Sequence, residues 1–170
     1  KDTTRKNWPG SGLCLRFGFP GPDRRGGREL AEGYLPVLRT WWQEGPLLYE
    51  QWTVLDALNV PLESVRVDDP SVLLVRIRIV NTSDQVPATA SLTLTSEPFD
   101  HPGERLVMHG DIVSAVTPEG ARVRLVLPGA DANAWAAGDA ELRWTRKLGP
   151  GESHTLHAMV PSVTLAGEAE

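Results

Sequence analysis

Cysteine is almost missing from this chain. Cys14 stands alone in 170 residues, so no internal disulfide can form and no CxxC pair exists to hold zinc, and a small buried apolar role is expected for it. Histidine is sparse as well. His101, His109, His154 and His157 are too few and wrongly spaced for a metal signature, and His154 and His157 alternate to opposite faces of one strand. No bound metal and no cofactor are expected. No apolar stretch approaches the roughly 18 residues of a membrane-spanning helix, and Lys1-Asp2-Thr3-Thr4-Arg5-Lys6 lacks the apolar centre of a signal peptide. Neither sign of charge dominates: 17 basic side chains face 22 acidic ones, for a net charge of −5. The arginines are scattered among apolar runs instead of being gathered into a patch, which argues against nucleic acid or an anionic membrane as partner. There is no glycine-rich phosphate loop, no GxSxG elbow and no acidic calcium loop.

Long helical patterns are also scarce. Arg28 to Gly33 and Asp131 to Ala137 could each hold one helical turn, but both are flanked by glycine and too short to nucleate alone. What fills the sequence is alternation. Leu142 to Leu148 and His154 to Pro161 flank Gly149-Pro150-Gly151-Glu152-Ser153 and read as a β-hairpin. Tyr34 to Trp42 and Leu47 to Leu55 flank Gln43-Glu44-Gly45-Pro46 and read as another, with Pro36 suited to a strand start or edge. Further strands are predicted over residues 13–19, 72–81, 88–95, 105–108, 111–116 and 121–127, with Thr117-Pro118-Glu119-Gly120 as a tight turn. Pro20 to Arg28 reads as a long surface loop. The fold class predicted is all-β, an antiparallel β-sandwich of nine or ten strands with at most short helical turns. Residues 1–32 form an opening strand and loop of the same domain, 33–161 the sandwich core and 162–170 a linker. The missing initiator Met and the tapering end point to a piece of a longer chain.

Parity assigns faces. Leu73, Val75, Ile77 and Ile79 form one continuous apolar face and are expected in the core, while Arg76 and Arg78 fall on the other, their stems packed along neighbouring strands. A paired guanidinium ladder for carboxylate or sugar recognition is the sharper reading of those two arginines. Leu142, Trp144 and Leu148 share a parity, which makes Trp144 a core anchor. Adjacent Trp41 and Trp42 must point to opposite faces of a regular strand, so one of them leaves the core. Together with Tyr49 and Trp52, they are the candidate residues for contact with another domain or with carbohydrate. Glu44, Glu50, Asp56 and Asp111 are the carboxylates from which a glycosidase pair, roughly 5 to 10 Å apart, would be drawn. Acidic β-proteins offer such pairs by chance, and surface solvation is the expected role, with no catalytic residue in this chain. Asn81-Thr82-Ser83 fits the N-glycosylation acceptor pattern but reads as an ordinary turn.

Gly33-Tyr34-Leu35-Pro36 leading to Trp41 and Trp42, Gly45 to Gln51, Leu73 to Asn81, Leu142-Arg143-Trp144, Leu148 to Ser153 and Val160-Pro161 together resemble a known family. It is the N-terminal β-sandwich (supersandwich) domain of bacterial glycoside hydrolases that carry a C-terminal (α/α)6 barrel. The resemblance spans Gly33 to Pro161. It implies a noncatalytic accessory domain that packs on a helical catalytic domain of the same parent chain and lends shape to its substrate cleft, because the family's catalytic carboxylates lie mainly in the barrel. A possible oligosaccharide is the second partner implied. The alternative class is a stand-alone carbohydrate-binding or immunoglobulin-like adhesion module.

Overall fold

The computed structural model describes residues 13–18, 25–58, 60–66, 69–98, 105–117, 120–138 and 141–162. Among these residues twelve strands form two antiparallel sheets. The smaller sheet is ordered β1-β6-β11-β10, from β1 (Leu13–Gly18), β6 (Ala88–Pro98), β11 (Glu141–Leu148) and β10 (Trp135–Ala137). The larger is ordered β2-β3-β4-β5-β12-β9-β8-β7. Its strands are β2 (Arg25–Leu30), β3 (Val37–Glu44), β4 (Leu47–Ala57), β5 (Ser71–Asn81), β7 (Arg105–His109), β8 (Ile112–Thr117), β9 (Gly120–Val126) and β12 (Ser153–Pro161). This is the all-β sandwich that the alternating sequence predicts. Among the described residues only single 3-10 turns interrupt it, at Ala31–Gly33, Leu62–Ser64 and Ala132–Ala134.

The core forms where the inner faces meet. Val75, Ile77 and Ile79 of β5 and Leu47 and Tyr49 of β4 pack with Leu92 and Leu94 of β6 and Leu142, Trp144 and Leu148 of β11. Leu106, Val113, Ala115 and Leu125 extend the cluster beneath β7–β9. Each fully enclosed Leu, Ile or Val contributes about 1.5–3 kcal/mol relative to exposure, so this layer is the main source of stability. The faces assigned by parity to the strand from Val72 and to Trp144 are the ones observed.

The β3–β4 hairpin closes through Gly45 and Pro46, with Glu44 paired to Leu47. Gly45 sits at φ 54°, the positive value that a two-residue loop demands at its first position and that glycine adopts without steric cost, while the ring of Pro46 presets the second. The other expected hairpin is absent. β11 pairs with β6 and β10, whereas β12 pairs with β5 and, through Met159 and Val126, with β9. Gly149 to Glu152 therefore carries the chain from one sheet to the other.

A second crossing, residues 82–87, joins β5 to β6 beside it. Asn81 fastens the two together. Its side-chain nitrogen donates to the carbonyl oxygens of Val86 (2.9 Å), Leu148 (3.2 Å) and Gly149 (3.0 Å), its side-chain oxygen accepts from the Ser83 N–H (3.1 Å), and its own N–H reaches Glu152 O at 2.9 Å. Asn81 is fully enclosed, so its amide nitrogen is spent on the fold and presents no acceptor for a glycan.

Two further differences from the sequence reading concern short strands. The expected loop from Pro20 contains β2, whose register against β3 runs from Arg25–Gln43 to Leu30–Leu38. The expected helical turn around Asp131 is confined to three residues, after which Trp135 to Ala137 pair with β11. Residues 19–24, Pro118 and Glu119 of the expected turn, His101, the side chain of Cys14 and positions 163–170 of the expected linker lie outside what is described.

Candidate docking face of the large sheet

Alternation along four paired strands sorts the outer face of the large sheet into rows. Val37, Val54, Leu74 and Met159 are successive cross-strand partners and form an apolar row. Two residues along, Arg39, Trp52, Arg76 and His157 form the next. Trp41, Glu50, Arg78 and Thr155 form a third. Rows on one face lie roughly 7 Å apart, the length of two extended residues.

The middle row is an alternation of rings and guanidinium groups. The Arg39 guanidinium carbon lies 5.2 Å from the Trp41 ring centre and 5.8 Å from that of Trp52, and Arg76 lies 5.0 Å from Trp52. These distances fit cation–π attraction. Arg39 also donates to Glu29 Oε1 at 2.8 Å and to Glu50 Oε1 at 2.6 Å, while Arg78 reaches Glu50 Oε2 at 3.4 Å. Glu50 is only 6% exposed, and a carboxylate so placed needs these partners to offset its lost hydration. Its hydrogen bond to Arg39, then that of Glu29, holds the guanidinium above its ordinary value against the opposing effect of burial.

The four aromatic candidates part company here. Trp41 and Trp52 lie half-buried on this outer face. Trp42 and Tyr49 are taken into the core, 4% and 0% exposed, stacked with ring centres 5.0 Å apart. Parity sends Tyr49 inward with Ile79, its cross-strand partner, so it has no place in an outward patch. Burial raises the Tyr49 phenol, opposed by the Ser91 N–H that donates to its oxygen and reinforced by Glu44. Trp41 finds room because Gly27 lies opposite: a Cβ there would stand 2.6 Å from the indole Cζ2. The bare backbone of β2 is the seat of the ring.

The apolar row continues into a groove of about 290 Å³, walled by Pro128 from the segment after β9 and rimmed by Trp52, Arg76 and His157. Arg39, the apolar row and Pro128 did not stand out in the sequence. Arg39 was within reach of it, since a two-residue loop between Glu44 and Leu47 sets Arg39 opposite Trp52.

The carboxylates and histidines are dispersed. Asp56 accepts from the N–H of Ala57 at 2.8 Å and is exposed, as is Asp111. His109 is exposed on β7, His157 on the outer face, and His154 stacks on Trp144 across the core at 5.2 Å. Among the described residues no group of three or more His, Cys, Asp or Glu is placed to hold a metal ion. No protein-family profile matches the chain, and no curated protein sequence matches it.

Proposed function

We propose that this chain is a noncatalytic accessory β-sandwich of a carbohydrate-active enzyme, docking through the outer face of its large sheet on a helical catalytic domain of the parent chain. The observation that carries the docking role is the way Trp41 and Trp52 are held. Their rings flank the guanidinium of Arg39, and Arg76 covers Trp52 from the next strand. A sugar platform offers open ring faces for stacking; rings already stacked on arginine, beside an apolar row, instead suit contact with protein, where Trp and Arg are the usual anchors. The resemblance of residues 33–161 to accessory sandwiches supplies the enzyme context.

The test is a titration of the wild type, Trp41→Ala and Trp52→Ala against the helical domain supplied separately, with a parallel titration of oligosaccharides. Loss of Trp52 is expected to weaken docking by about 2 kcal/mol or more, as for an interface anchor, and to leave the fold intact. Unchanged docking with loss of oligosaccharide binding would replace this reading with that of a carbohydrate-binding module.

A further inference from the structure

The outer face is asymmetric in a way that specifies what lies on it. Val37, Val54, Leu74 and Met159 run across four strands, a span of about 14 Å at the usual strand spacing. An α-helix lying along the row covers that length with about nine residues at roughly 1.5 Å each. Pro128 closes the β12 side. Met159 is 42% exposed, so the floor of the groove is open to a partner.

The charges on the two sides of this row are not equivalent: Asp56, exposed and cross-strand from Val72, borders one side, and the arginines border the other. Arg39 and Arg78 are spent on Glu29 and Glu50. Arg76 is exposed, and among the described residues it has an aromatic neighbour in Trp52 and no carboxylate. His157, its cross-strand partner, adds no negative charge. Among the described residues the groove thus has an apolar floor and, along this side, a cation in Arg76 with unused hydrogen-bonding capacity, about 7 Å from the floor row.

We infer that the groove takes an amphipathic α-helix whose apolar stripe is bordered by a carboxylate, the stripe filling the Val37–Val54–Leu74–Met159 row and the carboxylate pairing with Arg76. A residue bordering the stripe is displaced sideways from it across a helix roughly 10–12 Å in diameter, enough to reach a cation about 7 Å from the floor row. A basic helix would bring like charge to Arg76, and a purely apolar one would leave Arg76 without a partner as water is excluded. This inference rests on the docking reading above and names the chemistry of the partner surface.

Two synthetic helices of roughly four turns test it. Both carry leucines along one stripe; one borders them with glutamates, the other with lysines. Each is titrated by fluorescence anisotropy against the full chain. The acidic helix should bind at least about tenfold more tightly than the basic one, a difference of about 1.4 kcal/mol. Arg76→Glu should reverse the order, Arg76→Gln should erase it, and Met159→Glu should weaken the acidic helix by about tenfold or more. Thermal unfolding of each variant keeps folding losses apart from binding losses. Equal affinity for the two helices, absence of binding, or indifference to both Arg76 variants and Met159→Glu would overturn the inference. Equal binding of a proline-interrupted copy of the acidic peptide would overturn it in favour of an extended segment. The docking reading fails on a different result, when the helical domain does not bind or an oligosaccharide claims Trp41 and Trp52, whatever the two probes do.

Discussion

His154 shows how one side chain ties acid sensitivity to packing. Its imidazole stacks on the Trp144 ring, the two planes 13° from parallel, and so bridges the two sheets. Burial first, and the positive charge of Arg146 second, hold it below the ordinary histidine value, while Glu152 pulls the other way. A group depressed in the folded state stays neutral there while the unfolded chain, titrating near about 6.5, still takes up a proton. Its contribution to stability is therefore complete above that value and is lost as pH falls through the folded one. Urea midpoints of the wild type should drop between pH 7.5 and 5 by more than those of His154→Phe, which keeps a ring against Trp144. Parallel profiles would show that His154 carries no such linkage. The inward role of Trp144 was legible from its parity with Leu142 and Leu148. Its contact with His154 was not, because the two residues belong to strands of different sheets.

At the scale of elements, local alternation identified strands well and partners poorly. Leu142 to Leu148 and His154 to Pro161 are both strands, yet a Gly-Pro-Gly connection serves a sheet-to-sheet crossing as readily as a hairpin, and only long-range pairing decides which. The β3–β4 hairpin was legible because its two-residue loop sets register directly. The placement of Arg76 against Trp52 was not, since it depends on how β5 returns to β4 after residues 58–70. β2 escaped notice for a different reason: Arg25-Gly26-Gly27-Arg28 has poor strand propensity, and its strand character comes from the neighbour it covers. A Cβ at Gly26 would collide with the backbone carbonyl of Trp41, whereas one at Gly27 meets the Trp41 indole, a movable side chain. Gly26→Ala should therefore cost more than Gly27→Ala, about 1–3 kcal/mol in the range of other overpacking changes, with faster amide exchange in β2. Gly27→Ala should mainly disturb Trp41 and its contact with Arg39, read as a shift in tryptophan fluorescence. Equal costs at the two sites would contradict the close backbone approach.

Across the whole molecule, the chain passes from sheet to sheet repeatedly, and two of those passages, β5 to β6 and β11 to β12, meet at Asn81. β5 lies at the centre of this arrangement, paired along its length to β4 on one side and β12 on the other. The strands that Asn81 unites are distant in sequence, so the chain pays for their closure before any of the contacts reward it. One amide, donating to Val86, Leu148 and Gly149 and accepting from Ser83, satisfies polar groups from both crossings at once. Asn81→Ala takes this donor from the enclosed Leu148 carbonyl and from the part-buried ones of Val86 and Gly149, at a cost of about 1–3 kcal/mol for a buried group left unsatisfied. Asn81→Asp should be worse at neutral pH, because it turns a carboxylate toward carbonyl oxygens. If Asn81 joins both sheets into one cooperative unit, the loss is global: the urea midpoint falls, the denaturant slope is unchanged and a single transition remains. A loss below about 0.5 kcal/mol, the range of ordinary surface substitutions, would remove Asn81 from that role. Two separated transitions in the variant, with the small sheet melting first, would show instead that the sheets fold as independent units and that the shared amide only aligns them.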